Sequence, residues 1–145
     1  MKISDITVYK VKPRWIFVKI STDEGIEGWG EMIAGTKTET VVAGGYEIGN
    51  RLIGRNPFEI ERLFQEMHRS FFRGGPINGT IVSGLEMALW DIKGKAFGVP
   101  VWELLGGAAR DKINVYYWIG GDRPNEVAEQ EQDRCDRGFS AVKMN

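Results

Sequence analysis

The sequence predicts an α+β fold, in which a three-stranded antiparallel meander is followed by helices and then by a parallel strand–helix–strand unit. Two observations predict this order. Apolar residues recur mostly at every second position up to about residue 31, and then at helical spacing up to about residue 105. After residue 110, a β-rich run, a loop, a polar helical stretch and a second β-rich run follow one another, which is the order of a βαβ unit.

Three β-rich segments make up the predicted meander, at residues 3–11, 15–20 and 26–31. The breaks between them are Lys12-Pro13-Arg14 and Asp23-Glu24-Gly25, and the second break is typical of a hairpin turn. Because connections this short join antiparallel neighbours, we expect the strands to pair in sequence order.

The first two helices are predicted from their start and stop residues. Thr38 can cap a helix that runs to about Ile53, with Gly54 as its stop. The segment Asn56-Pro57-Phe58-Glu59 is a stronger start signal, because Asn caps helices, Pro fits a first turn and Glu59 completes a capping-box-like arrangement.

The longest predicted helix follows the loop Arg73-Gly74-Gly75-Pro76. Its apolar residues keep the helical period to Ala96, after which Gly98 and Pro100 end it. A short apolar turn, residues 101–105, comes next.

Within that long helix, Asp91 and Lys95 are four residues apart, so they share a face and can form an ion pair. Gly94 in a helix costs about 1 kcal/mol relative to alanine, which indicates close packing against another element. We expect this group to be architectural rather than catalytic.

The last part of the chain predicts the parallel unit. Residues 112–119 are a nearly continuous run of β-formers, as expected of a strand buried on both faces. Residues 125–137 predict a helix closed by Gly138, and residues 139–145 a second strand. Two strands alone leave edges and faces uncovered. We therefore expect that the chain either pairs with another or is the front portion of a longer protein.

Composition excludes several classes of protein. The net charge is −1, which offers no basic footprint for nucleic acid. No apolar stretch approaches the roughly 18 residues of a membrane span. The single cysteine, Cys135, favours a reducing compartment. We therefore expect a cytoplasmic protein with neither a nucleic-acid nor a membrane partner.

No motif of known chemistry stands out from the residues alone. His68 is the only histidine and has no neighbouring cysteine, so we expect a surface or loop residue rather than a metal ligand. Cys135 lacks a histidine nearby in sequence and is expected to be an inert thiol. Gly28-Trp29-Gly30 lies in strand-like sequence and is not a dinucleotide-binding fingerprint.

Two segments closely resemble the signature of the mandelate racemase/muconate lactonizing enzyme family of the enolase superfamily: SGLEMALWDIKGK at residues 83–95 and PVWELLGG at residues 100–107. Further segments are similar to acid-sugar dehydratases of the D-galactonate dehydratase type. They are Pro13-Arg14-Trp15, Thr22-Asp23-Glu24-Gly25, Arg73-Gly74-Gly75-Pro76-Ile77 and Trp118-Ile119-Gly120-Gly121-Asp122-Arg123-Pro124. Ile81 departs from the family pattern, in which a small residue is expected.

The resemblance implies a capping domain at residues 1–110 and the start of a TIM-type barrel at residues 111–145. The second region would hold the first β/α unit and the second barrel strand. A TIM barrel takes roughly 250 residues, so the remainder of the barrel is absent from this chain. We expect this piece alone to be inactive.

The resemblance also implies chemistry. Enzymes of this family abstract a proton α to a carboxylate, and a bound Mg²⁺ stabilises the resulting enediolate. Family metal ligands lie on the third to fifth barrel strands, so we expect the Mg²⁺ ligands beyond Asn145 and assign no metal ligand and no catalytic residue within this chain.

Four residues are expected in the substrate site. Lys143 matches the first position of a Lys-x-Lys motif, at the strand end where barrel enzymes bind substrate, and could contact the substrate carboxylate. The alternative is a surface lysine at a strand end. Asn145 stands where racemases and cycloisomerases place a basic lysine, and it cannot be a base. Arg14 and Trp15 lie in a mobile loop that closes over the barrel in relatives. In one interpretation Arg14 binds the substrate and Trp15 forms a pocket wall. An equally good interpretation is a solvated arginine beside a core tryptophan. Trp118 likewise fits either the core or a pocket wall.

The predicted function is dehydration of a small-molecule sugar acid to a 2-keto-3-deoxy acid, by a protein that we expect to be a homo-oligomer. One alternative is a racemase or cycloisomerase of the same family. A second alternative is a stand-alone, non-catalytic binding or assembly module.

Overall fold

The computed structural model describes residues 1–69 and 74–144. It divides into two compact units, Met1–Gly107 and Ala108–Asn145. The first unit contains a three-stranded sheet and the second a two-stranded sheet. None of the helices in the described residues combines the length and apolar character that crossing a membrane requires.

The sheet of the first unit is an antiparallel meander. Its strands are β1 (Ile3–Val11), β2 (Trp15–Thr22) and β3 (Glu27–Glu31), paired in the order β1-β2-β3. Val18 of β2 lies opposite Val8 of β1 and Gly30 of β3, so the middle strand holds both neighbours in register. The predicted fold class, a meander followed by helices, is confirmed.

In the described residues of the first unit, four helices follow the meander: α1 (Thr38–Gly49), α2 (Ile60–Arg69), α3 (Gly75–Phe97) and α4 (Val101–Leu104). A single 3-10 turn, Asn50–Leu52, extends α1 towards Gly54, which has a φ of +83°. Thr38 is the first residue of α1, and Lys37 before it makes no capping hydrogen bond through its side chain. The prediction that Thr38 caps this helix was therefore wrong by one residue.

The predicted capping box at the start of α2 was also wrong. Asn56 Oδ1 accepts a hydrogen bond from the Phe58 amide at 3.0 Å, which closes a local turn before the helix. The helix begins at Ile60, where the carbonyl of Glu59 accepts the first helical bond from the Leu63 amide at 2.9 Å. The side chain of Glu59 instead pairs with Arg62 at 3.3 Å.

The start of α3 also differs from the prediction. Gly75 and Pro76, expected in a loop, form the first turn of α3, where Pro fits because its missing N–H has no helical partner. Arg73 of the same predicted loop lies outside the described residues. The other end is as predicted, because Gly98 adopts the left-handed conformation at φ +67° and ends the helix.

The core of the first unit lies between the inner face of the sheet and α3. Ile16, Val18 and Ile20 of β2 are at most 1% exposed and pack in one cluster with the buried face of α3. Further buried members of this cluster from α3 are Ile81, Val82, Leu85, Ala88, Leu89 and Ile92. The alternation in β2 and the helical spacing in α3 therefore both point into the same core.

Glycines allow α3 to lie directly against β3. A methyl group on Gly30 would overlap the carbonyl oxygen of Gly84, and one on Gly28 would overlap the carbonyl oxygen of Ala88. Ile81 of α3 makes a similar close contact with a glycine of α1. Its side chain fills the space beside Gly44, where a Cβ would lie 2.6 Å from Ile81 Cδ1.

Asp91 and Lys95 close the free edge of β3. Asp91 Oδ2 accepts hydrogen bonds from the Trp29 backbone amide at 2.9 Å and from Lys95 Nζ at 2.7 Å. Lys95 Nζ also donates to the Glu27 carbonyl at 2.7 Å. The predicted ion pair is present, and it occupies backbone groups that an edge strand would otherwise leave open for pairing with another chain.

Removing the Asp91 side chain tests how much these hydrogen bonds contribute to stability. We expect Asp91→Ala to lower the free energy of unfolding by about 1–3 kcal/mol, because the Trp29 amide loses its acceptor. Urea denaturation measures this value. The matched control is Glu47→Ala, which removes an (i, i+4) pair whose two side chains are more than half exposed, and it should change the value by about 0.5 kcal/mol or less. Equal losses of unfolding free energy in the two variants would show that the Asp91 contacts do not stabilise the edge of β3.

A bidentate ion pair joins the segment before α2 to α2 itself. Arg55 donates from Nη1 to Glu66 Oε2 at 2.7 Å and from Nη2 to Glu66 Oε1 at 3.0 Å. This bidentate contact lowers the pKa of the Glu66 carboxyl. The stabilisation is therefore complete above the ordinary glutamate pKa of about 4.3 and is lost as the pH falls through the lowered value.

We accordingly expect Glu66→Gln to be less stable than the unmodified chain at pH 7, with a difference that shrinks towards pH 3. Thermal unfolding between these pH values measures the difference. Glu103→Gln, at an exposed position of α4, is the control, and the pH dependence of its unfolding temperature should differ less from that of the unmodified chain. A difference that stays constant with pH would show that the charge of Glu66 is not the cause.

The second unit is a parallel strand–helix–strand unit, as predicted. Its elements are β4 (Tyr117–Trp118), α5 (Pro124–Asp136) and β5 (Val142–Lys143), and β4 pairs with β5 in parallel. The expected long strand buried on both faces was wrong, because Ile113, Val115 and Tyr116 are 58–78% exposed. A strand becomes doubly buried only between two layers, and the described part of this unit supplies one helix and one neighbouring strand.

Candidate substrate site at the ends of the parallel strands

The two faces of the β4-β5 sheet differ in what covers them. Tyr117 lies under α5, with the guanidinium carbon of Arg134 4.0 Å from the centre of its ring. Ile119, two residues on, is 2% exposed. Trp118 between them points the other way and is 54% exposed. The sheet therefore has one face covered by α5 and one open face.

Lys143 lies on the open face. It pairs in register with Trp118, and paired residues of neighbouring parallel strands project to the same side. Met144, the next residue, lines a groove on the other side with Val127 and Glu131 of α5. The structure thus places Lys143 beside Trp118 at the carboxyl end of β5, whereas Asn145 lies outside the described residues.

A residue that the sequence analysis missed holds the backbone after β4. Gln130 of α5 accepts a hydrogen bond from the Gly120 amide at 3.3 Å and donates one to the Gly120 carbonyl. The Trp118 ring lies against Gly120, where a methyl group would overlap it. A glutamine in a polar helix carries no sequence signal for such a contact.

Arg14 and Trp15 lie together at one end of the meander in the first unit. The Arg14 guanidinium carbon is 5.6 Å from the centre of the Trp15 ring, within the range of a cation–π contact. Trp15 is 37% exposed and lies outside the buried core cluster. Arg14 is exposed.

The loop after β3 lies at the same end of the meander. The Met32 amide donates to the Ile16 carbonyl at 2.8 Å, which brings residues 33–37 next to the start of β2. Thr80 of α3 holds this loop by donating to the Ile33 carbonyl at 2.8 Å. Two exposed loops therefore form one end of the first unit, with Arg14 and Trp15 on one of them.

The described residues do not fit a magnesium site. No group of three or more His, Cys, Asp or Glu side chains in residues 1–69 and 74–144 could hold a metal ion. His68 lies exposed near the end of α2, with its ring 5.6 Å from that of Phe64. Cys135 is exposed on α5 as a free thiol.

Residues 1–106 match the N-terminal domain of the mandelate racemase / muconate lactonizing enzyme family. The chain belongs to this family. The matched region contains the whole meander and the helices α1 to α4.

Relatives within the family include D-galactonate dehydratases. The chain is 51% identical to the enzyme of Klebsiella pneumoniae (strain 342) and 50% identical to that of Variovorax paradoxus (strain S110), each over 146 aligned residues. The match covers 100% of this chain and 38% of each relative. The chain therefore spans well under half of the curated relatives that it matches.

Solved structures show the same fold. A putative dehydratase from Mesorhizobium loti superposes with a TM-score of 0.91 at 37% identity, covering 99% of this chain and 41% of that one. An enolase from Pantoea ananatis with bound D-gluconate and Mg superposes with a TM-score of 0.92 at 33% identity, covering 99% and 36%.

Proposed function

We propose that this chain is the N-terminal part of an acid-sugar dehydratase, a carbon–oxygen hydro-lyase of the D-galactonate dehydratase type. The observation that carries the proposal is the identity of about half of all residues with D-galactonate dehydratases along the entire chain. In this reaction the proton at C2, next to the carboxylate, is removed and the C3 hydroxyl leaves as water. The resulting enol tautomerises to a 2-keto-3-deoxy acid.

The proposed domain organisation follows from the same relationship. Residues 1–110 would form the capping domain, and residues 111–145 the first β/α unit and second strand of a TIM-type barrel. The parallel pairing of β4 with β5 across α5 supports this reading, because such units build the barrel.

Lys143 is proposed to bind the substrate carboxylate. Removing the C2 proton places a second negative charge on the carboxylate, so an ammonium group there would stabilise the transition state more than the ground state. Arg14 and Trp15 are proposed to bind and enclose the substrate from the loop of the first unit. Asn145 is proposed as a hydrogen-bonding group, since an amide cannot act as the base.

The Mg²⁺ that the family implies is proposed to have its ligands outside this chain, as are the base and the acid. A cytoplasmic homo-oligomer also remains a prediction. The racemase or cycloisomerase alternative is not favoured, because Asn145 replaces the lysine that would serve as base.

The test is an assay of the full-length enzyme with Mg²⁺ on a panel of aldonic and aldaric acids, with detection of the 2-keto-3-deoxy product. We expect turnover of at least one sugar acid and none by residues 1–145 alone. Turnover restricted to N-acyl amino acids or dipeptides would overturn the proposal. If the gene encodes only these residues and native mass spectrometry detects a stable 16.3 kDa species, the stand-alone module is favoured instead.

A further inference from the structure

We propose that Trp118 is a specificity-determining residue of the substrate site. Its indole would form the apolar wall beside Lys143, against which the carbon chain of the sugar acid packs. This inference rests on the proposed function, and it decides between the two roles that the sequence leaves open for Trp118, core residue or pocket wall.

Trp118 lies at the carboxyl end of β4, where barrel enzymes bind substrate, and this position favours a pocket wall over a core role. Its neighbour Ile119 is 2% exposed beneath α5, whereas Trp118 itself is 54% exposed on the opposite face. The covered face is already filled, because Tyr117 packs against both Arg134 and the ring of Phe139, whose centre lies 5.1 Å away. Trp118 shares the open face with Lys143, in register with it.

The Trp118 ring rests on the backbone of Gly120, which Gln130 holds in place. Gln130 bonds both the amide and the carbonyl of Gly120, so the backbone on which the ring rests is tied to α5 at two points. Gln130 is therefore a positioning residue for Trp118. A wall held in place before the substrate arrives loses little side-chain entropy on binding.

A lysine and a tryptophan paired on one face of a sheet suit a molecule with two features, a carboxylate for the ammonium group and a face of C–H bonds for the indole. A sugar acid has both. An indole face cannot hydrogen-bond a hydroxyl group that is turned towards it, so that hydroxyl would be desolvated without a partner. Trp118 would therefore select among epimers by the direction of a hydroxyl group, while Lys143 binds the carboxylate common to all of them.

The experiment compares epimeric sugar acids as substrates of the full-length enzyme and its variants. We expect Trp118→Ala to raise KM for the preferred epimer about tenfold and to reduce discrimination between epimers by a similar factor, with a smaller change in kcat. Trp118→Phe keeps a smaller apolar wall and should restore most of the discrimination. Gly120→Ala should displace the ring, because its methyl group would overlap the indole, and so should reproduce part of the loss.

Trp29→Phe is the matched control, since Trp29 is a similarly exposed tryptophan (43%) on β3, and it should leave KM and epimer discrimination unchanged. Circular dichroism identifies any variant that fails to fold, and Trp118→Phe and Gly120→Ala then decide the outcome. If folded variants at Trp118 and Gly120 keep the epimer ratio of the unmodified enzyme, the inference is overturned while the proposed function stands. If the unmodified enzyme turns over no sugar acid, the proposed function fails and the inference fails with it.

Discussion

Replacing Gly30 by alanine is expected to destabilise the first unit by on the order of 3–4 kcal/mol. The added methyl group would overlap the carbonyl oxygen of Gly84, which belongs to the backbone of α3 and cannot rotate away. The strand and the long helix would have to separate, and the buried side chains between them would lose contacts. Urea denaturation of the 145-residue chain, followed by circular dichroism, measures the change.

Gly79→Ala is the matched control. Gly79 is an exposed glycine of the same helix with no atom near the position of a Cβ, apart from the helix's own backbone and its chain neighbours. Alanine there should be neutral or stabilise the helix by about 0.5–1 kcal/mol, because glycine is a poor helix former. If Gly30→Ala unfolds at the same urea concentration as Gly79→Ala, the close approach of β3 and α3 is not a constraint on stability.

Replacing Lys143 by methionine is expected to lower kcat/KM of the full-length enzyme for its sugar acid by about a hundredfold or more. Methionine keeps an unbranched apolar stem of similar length but loses the charge that would bind the carboxylate. Steady-state kinetics at saturating Mg²⁺ give the value. Since the ammonium group is proposed to stabilise the transition state more than bound substrate, kcat should fall as well as kcat/KM.

Lys112→Met provides the control, because Lys112 is an exposed lysine of the same unit that precedes β4. Its kinetics should match those of the unmodified enzyme within about twofold, as expected for a surface substitution. Equal activity of both variants would remove Lys143 from the proposed site.

The strands and their order could be predicted from sequence because alternation is a local property. β1 and the start of β2 lie at the predicted positions, and Gly98 ends α3 as its position before a proline indicated. Helix starts were harder. Asn56 has a side chain that can cap a helix or close a turn, and the two outcomes differ only in the backbone that follows.

The candidate site was predictable in part. The position of Lys143 at the carboxyl end of a strand followed from resemblance and strand pattern. The contact of Gln130 with Gly120 did not, because it joins a helix to a loop ten residues away and uses a residue type that is common on any polar helix. The role of Trp118 could not be decided from sequence either, because an indole suits a core and a pocket wall equally well.

The sequence by itself determined the order of strands and helices, the family and the absence of a basic footprint, because period, motif and charge are read directly from neighbouring residues. Only the tertiary structure decided the role of Gly28-Trp29-Gly30, which sequence reasoning could place in a strand but not explain. Those two glycines face a helix more than fifty residues further along the chain, and Trp29 donates its amide to Asp91, 62 residues away. Contacts of this kind depend on which surfaces meet after folding, and local sequence patterns do not contain that information.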